Sequence, residues 1–161
     1  MDCCQPGEAP PEMAGLPVRY AGRVIVLDPD DRVLLLRYDD IPPAGVHWAT
    51  PGGGLNPGES YAEAARRELA EETGWDDVEL LREVHRHPRL IIHGGHALCQ
   101  YERLFLARTD RRRRELGDVA AMHVSDGIAA WRWWTLAELD ATDEVVWPRG
   151  LAEVIRAALG G

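Results

Sequence analysis

With 161 residues, 45% of them hydrophobic and 28% charged, the chain has room for one domain of ordinary size and a core that needs no cross-links. Cys3, Cys4 and Cys99 are too few for a disulfide framework and fit a reducing, cytoplasmic setting; no apolar run nears the roughly 20 residues of a membrane span, and no signal peptide is read. A net charge of −9 argues against specific nucleic-acid binding, and because all 18 basic residues are arginine, Schiff-base and P-loop lysine chemistry is excluded.

Residues 1–17 hold five prolines and glycines before Leu16 and read as a flexible tail, with the domain expected over 18–161. Val24-Ile25-Val26-Leu27 and Val33-Leu34-Leu35-Leu36 predict two strands around a tight turn, and their continuous apolar character predicts burial on both faces. His47-Trp48-Ala49 predicts a short strand entering a proline- and glycine-rich loop over 51–58. Ser60, with Glu63 three positions on, reads as a capping box; the helix it opens runs through Ala65 and Leu69 and stops at Gly74. Residues 78–87 and 98–107 alternate as strands joined around His93-Gly94-Gly95-His96. A charged loop follows at 111–114, a strand at 129–135, and helical spacing over 145–159 broken by Pro148-Arg149-Gly150. Strands on either side of a central helix, with a helix at the end, indicate an α/β fold with a mixed sheet between helices.

The chemistry concentrates in the central helix. Glu68, Glu71 and Glu72 stand at i, i+3 and i+4, so three carboxylates share one face. Like charges at that spacing cost about 0.2–0.5 kcal/mol per pair, and a hard divalent cation offsets the repulsion directly. Taken alone, the glutamates are better explained by a solvated face with Glu63–Arg67 and Arg67–Glu71 ion pairs. The preceding Gly52-Gly53-Gly54 adds a backbone that a metal or ligand can approach closely, ahead of a helix start that favours anions. Loop and helix together describe a site for metal-bound phosphate.

Gly53, Glu59, Arg67, Glu68, Leu69, Glu71, Glu72, Gly74 and Trp75 follow the spacing Gly, five residues, Glu, seven residues, Arg-Glu-apolar-x-Glu-Glu-x-Gly-apolar. In this the sequence resembles the Nudix hydrolases, whose signature box it reproduces in full, and the similarity of layout extends over residues 19–159. The resemblance implies an α/β/α sandwich and hydrolysis of a diphosphate linkage in a nucleoside diphosphate joined to another group. Its implied cofactor is Mg2+, with Mn2+ as a substitute, and its implied partner is a small nucleotide-type substrate. No membrane is expected, and a homodimer is compatible with the resemblance. Carried over by position, Glu68, Glu71, Glu72 and the Gly53 carbonyl would hold the metal. Arg67 would orient a glutamate, Glu59 would hold the loop to the helix, and Leu69 and Trp75 would be core.

Some members draw a further glutamate, often the general base, from outside the box. Glu102 is the candidate, with a charge on a water-facing edge strand as the competing reading; alternation puts it on one face with Leu98, Gln100, Leu104 and Leu106. His85, His87, His93 and His96 are read as polar residues of a hairpin in preference to a zinc set, and Cys99 has no triad around it. Trp131, Trp133 and Trp134 are read as mostly core. Two other functions compete on the same fold: a module that binds a nucleotide without cleaving it, which the complete box disfavours, and a prenyl diphosphate isomerase, which lacks its cysteine ahead of the box.

Overall fold

A computed structural model describes residues 13–40 and 44–160. Among these, eight strands and four helices follow in the order β1 (Val18–Leu27), β2 (Val33–Asp39), β3 (Val46–Ala49), β4 (Gly52–Gly54), α1 (Tyr61–Thr73), β5 (Leu80–His93), β6 (His96–Arg108), α2 (Ala120–Asp126), β7 (Ile128–Trp134), α3 (Leu136–Ala141), β8 (Val146–Trp147) and α4 (Leu151–Gly160). The strands form one mixed sheet in the order β5-β6-β1-β2-β3-β8, with β4 paired to β1 and β7 paired to β2. β1 runs parallel to β6 and β3 parallel to β8, whereas the remaining pairs are antiparallel.

The apolar run of β1 is continuous because both of its faces are covered. Val24 and Val26 pack with Ala65, Leu69 and Trp75 on the α1 side. Ile25 and Leu27 pack with Leu104, Leu151 and Ile155 on the α4 side. The fold is therefore α/β, a mixed sheet between helices. Helix α1 begins where Ser60 Oγ accepts the Glu63 N–H at 3.1 Å and ends where Gly74 takes the left-handed conformation at φ 78°. The hairpin β5–β6 closes on Gly94 and Gly95, both at positive φ, as a two-residue turn with that handedness requires.

Four expectations change. Residues 51–58 contain a strand: Gly52, Gly53 and Gly54 pair with Arg23, Gly22 and Ala21, a ladder of backbone groups that leaves no side-chain pattern to read. Residues 145–159 are not one helix. Val146 and Trp147 pair with β3, since Pro148 keeps the residue before it extended, and the helix starts at Leu151. Helix α2 was not anticipated: none of its residues is buried, so it carries no apolar stripe. Of the expected tail, residues 1–12, with Cys3 and Cys4, lie outside the described residues. Met13 and Leu16 pack against Cys99 and Tyr101, so packing begins upstream of Val18. No helix among the described residues is long and apolar enough to cross a membrane.

Candidate active site

Arg67 organises the start of the site. Its Nε and one terminal nitrogen hold both oxygens of Glu59, at 2.8 and 2.9 Å, and that nitrogen also donates to the Gly54 carbonyl at 2.9 Å. The other terminal nitrogen donates to Glu68 at 2.9 Å and to Glu71 at 3.4 Å. Glu59 in turn accepts the Asn56 N–H at 2.9 Å, and these bonds, Arg67's first, hold its carboxyl down at about 2. One guanidinium thereby fastens the loop, β4 and the helix together.

Glu72 is only 2% exposed. It accepts the Gly52 N–H at 2.8 Å and the Tyr38 hydroxyl at 3.3 Å, and its own carbonyl pairs with His123 of α2 at 2.6 Å. Burial, with the charge of Glu68 added, pushes its carboxyl up to about 8. Burial also raises Glu68, against the pull of Arg67. The Glu68 carboxylate lies over Gly53 so closely that a Cβ built there would stand 2.7 Å from it, so only glycine admits this approach. Glu68, Glu72 and Asp126 each turn one oxygen into a cluster whose ligand atoms all lie within 4.8 Å of one another. Asp126 belongs to α2, the helix that sequence reasoning missed; the Asp-Gly step at its C-terminal cap was the available signal. Glu71 lies outside this set, directed to Arg67.

The donor set suits a hard divalent cation. Three oxygen donors converge, one of them buried, and burial with the neighbouring charge of Glu68 raises the Glu72 carboxyl, a cost that a cation at the cluster would offset. Among the described residues no histidine or cysteine belongs to such a group.

Glu102 sits elsewhere. It is fully buried on β6, which lies between β5 and β1, so it is not a charge facing water. Its oxygens take Arg23 Nε, His87 Nε2 at 2.9 Å and the Gln100 amide, with Arg89 at 4.0 Å. Burial works to raise its pKa, but Arg23, His87 and Arg89 outweigh it and hold the carboxyl far below the usual range. Arg23 also donates to the Thr50 carbonyl at 2.8 Å, at the entrance to β4. His87 is thus engaged with Glu102, and His85 lies beside it with ring centroids 5.5 Å apart. Cys99 is buried. Trp133 and Trp134 are core, stacked on Trp75 and edge-on to Trp48, whereas Trp131 is exposed.

Both groups of charges line a single cavity of about 840 Å3, reached by Glu68, Glu72 and Asp126 on one wall and by Arg19, Arg23 and Arg89 on another. Its size is that of a small-molecule site.

Comparison with known proteins gives the family. The family model for the NUDIX domain matches residues 17–155. An RNA pyrophosphohydrolase of Caulobacter vibrioides is 36% identical over 150 residues, covering 86% of this chain and 83% of that protein. An RNA pyrophosphohydrolase of Pelagibacter ubique is 32% identical over 139 residues, covering 81% and 84%. Among solved structures, the MutT protein from Methanosarcina mazei Go1 superposes with a TM-score of 0.67 at 17% identity, over 89% of this chain and 94% of that one, which is a likeness of fold. The chain belongs to the Nudix hydrolase family, as an enzyme of the pyrophosphohydrolase type.

Proposed function

We propose that the protein is a divalent-metal-dependent hydrolase that cleaves a diphosphate linkage in a nucleoside diphosphate joined to another group. The observation that carries this reading is the convergence of Glu68, Glu72 and Asp126 at the wall of a nucleotide-sized cavity. The relatives' name adds RNA to the compounds worth testing, and an RNA carries a phosphoanhydride linkage at a polyphosphorylated 5′ end.

In this reading Glu68 and Glu72, with the Gly53 carbonyl and Glu71, would hold Mg2+ or Mn2+. A cation there would screen the phosphate oxygens that repel a nucleophile and would lower the pKa of water. Arg67 keeps Glu68 turned toward Gly53 while Glu59 ties down the loop. Asp126 takes the proton of the attacking water: it is the exposed member of the cluster and among the described residues has no hydrogen-bond partner. Glu102, engaged on both oxygens, is a positioning residue that fixes Arg23 and, through the Thr50 carbonyl, the approach to β4.

A hydrolysis screen over nucleoside triphosphates, dinucleotides, nucleotide sugars, ADP-ribose, dinucleoside polyphosphates and 5′-triphosphorylated RNA tests the reading. At least one compound is expected to be cleaved with Mg2+ and none in EDTA. Glu72→Gln should lose about 100-fold or more in rate, and Asp126→Asn about 100-fold together with the acidic limb of the pH profile. Undiminished turnover in chelator would end the proposal.

A further inference from the structure

The cavity is lined by both signs of charge. Beside the carboxylates lies a floor of arginines on one face of the sheet. Arg19 of β1 is in register with Gln100 of β6, and Gln100 is in register with Arg89 of β5. One buried carboxylate, Glu102, serves this floor.

The three arginines differ in what they already bind. Arg23 is engaged with Glu102 and the Thr50 carbonyl. Arg19 lies against Gly54 and pairs with His93 Nδ1 at 3.3 Å. Arg89 is 7% exposed and lines the cavity, yet among the described residues no acceptor takes a hydrogen bond from it. Glu102 Oε2 stands 4.0 Å away and already accepts from Arg23 and Gln100. Its plane is supported by Trp147, whose ring centroid is 4.9 Å from the guanidinium carbon. Burial lowers Arg89 to about 10, which still leaves it charged at neutral pH.

The Arg89 guanidinium lines the cavity with no protein acceptor among the described residues, so a ligand that accepts from it gains charge-assisted hydrogen bonds. Arg19, Arg23 and Arg89 outnumber Glu102 and Asp40, the two carboxylates that act on Arg89, so an anion completes the floor better than a neutral ring edge does. A planar fork of donors matches phosphate geometry in particular.

We propose that Arg89 is a specificity-determining residue whose guanidinium binds a phosphate-type anion of the substrate, on the floor of the cavity and apart from the carboxylate wall. The inference rests on the cavity being the hydrolytic cleft. The anion has two sources, a phosphate of the 5′ chain itself or a phosphate carried on the ribose.

Calorimetric binding of two probes that the enzyme does not cleave separates the sources. Methylenediphosphonate stands for the chain and a nucleoside 3′-monophosphate for the ribose, both in Mg2+ buffer with the full-length protein. At least one probe is expected to bind the wild type and to bind Arg89→Gln at least about 10-fold more weakly. Arg89→Lys, which keeps the charge and loses the fork, should fall between them and carries the comparison if Arg89→Gln does not fold. Dependence on Arg89 for the diphosphonate assigns the anion to the 5′ chain; dependence for the monophosphate assigns it to the ribose. Wild-type affinity in both variants, or no binding of either probe to the wild type, overturns the proposal. Because no turnover is read, Arg89-dependent binding in a protein that hydrolyses nothing would count against the hydrolase reading alone.

Discussion

Two buried glutamates, Glu72 at the cavity and Glu102 on β6, differ in charge state. Glu102 stays ionised because arginines and a histidine surround it, while Glu72, buried beside Glu68, holds its proton up to about pH 8. Between the usual 4.5 and 8 the native state therefore binds a proton that the unfolded chain has lost, so metal-free stability falls as pH rises through that window. The loss is on the order of 3 kcal/mol, or roughly 5–10 °C in melting temperature for a chain of this size. Thermal melts in EDTA from pH 5 to 8 should show that slope in the wild type and a much flatter one in Glu72→Gln. An unchanged slope in the variant would assign the dependence to other groups. Glu102→Gln separates the two roles in the same melts. Its folded pKa lies below the unfolded value, so the stability it contributes is fully present above about pH 5 and lost only in acid. Removing it leaves Arg23 and Arg89 without their shared counter-charge, which should cost about 3–5 kcal/mol across neutral pH. The acidic limb of turnover should survive that substitution.

At the scale of elements, the sequence disclosed those whose signal lies in side chains and concealed those built from backbone. The box helix was legible from its cap, its carboxylate spacing and its terminal glycine, and the structure follows it to within a residue. Strand β4 was not, since three glycines pair by N–H and C=O groups alone. Asp126 was out of reach for a related reason: α2 is too short and too exposed to show periodicity, and its place beside Glu68 depends on long-range packing. Glu102 was identified as important, but its engagement with Arg23, 79 residues away, follows from the parallel pairing of β1 and β6. Two glycines of this region should respond differently to alanine. At Gly53 the added methyl meets the far end of a flexible side chain, Glu68, so Gly53→Ala should fold with a loss of about 1 kcal/mol or less and lose at least about 10-fold in Mg2+ affinity. At Gly22 it meets the Tyr61 carbonyl of α1, which cannot turn away, so Gly22→Ala should lose about 2 kcal/mol or more. Equal stability in the two variants would refute the contrast.

At the scale of the whole molecule, the abundance of arginine does not make a basic surface. Arg32, Arg108 and Arg112 pair with the aspartates of the β1–β2 turn, Arg114 with Asp77, Arg132 with Glu138 and Arg156 with Asp140. Arg19, Arg23, Arg89 and Arg149 line the cavity, where a substrate end can enter and the side of a duplex cannot. Outside the cavity the net charge of −9 repels a phosphate backbone, and few counterions would be released on contact. Fluorescence anisotropy with duplex DNA and duplex RNA at physiological salt should accordingly give no sequence-selective binding below micromolar concentration. What weak binding appears at low salt should depend on a phosphorylated 5′ end and should fall when Arg89 is replaced. Submicromolar binding that distinguishes internal sequences would mean that a surface other than this cavity recognises nucleic acid, and the charge argument would fail with it.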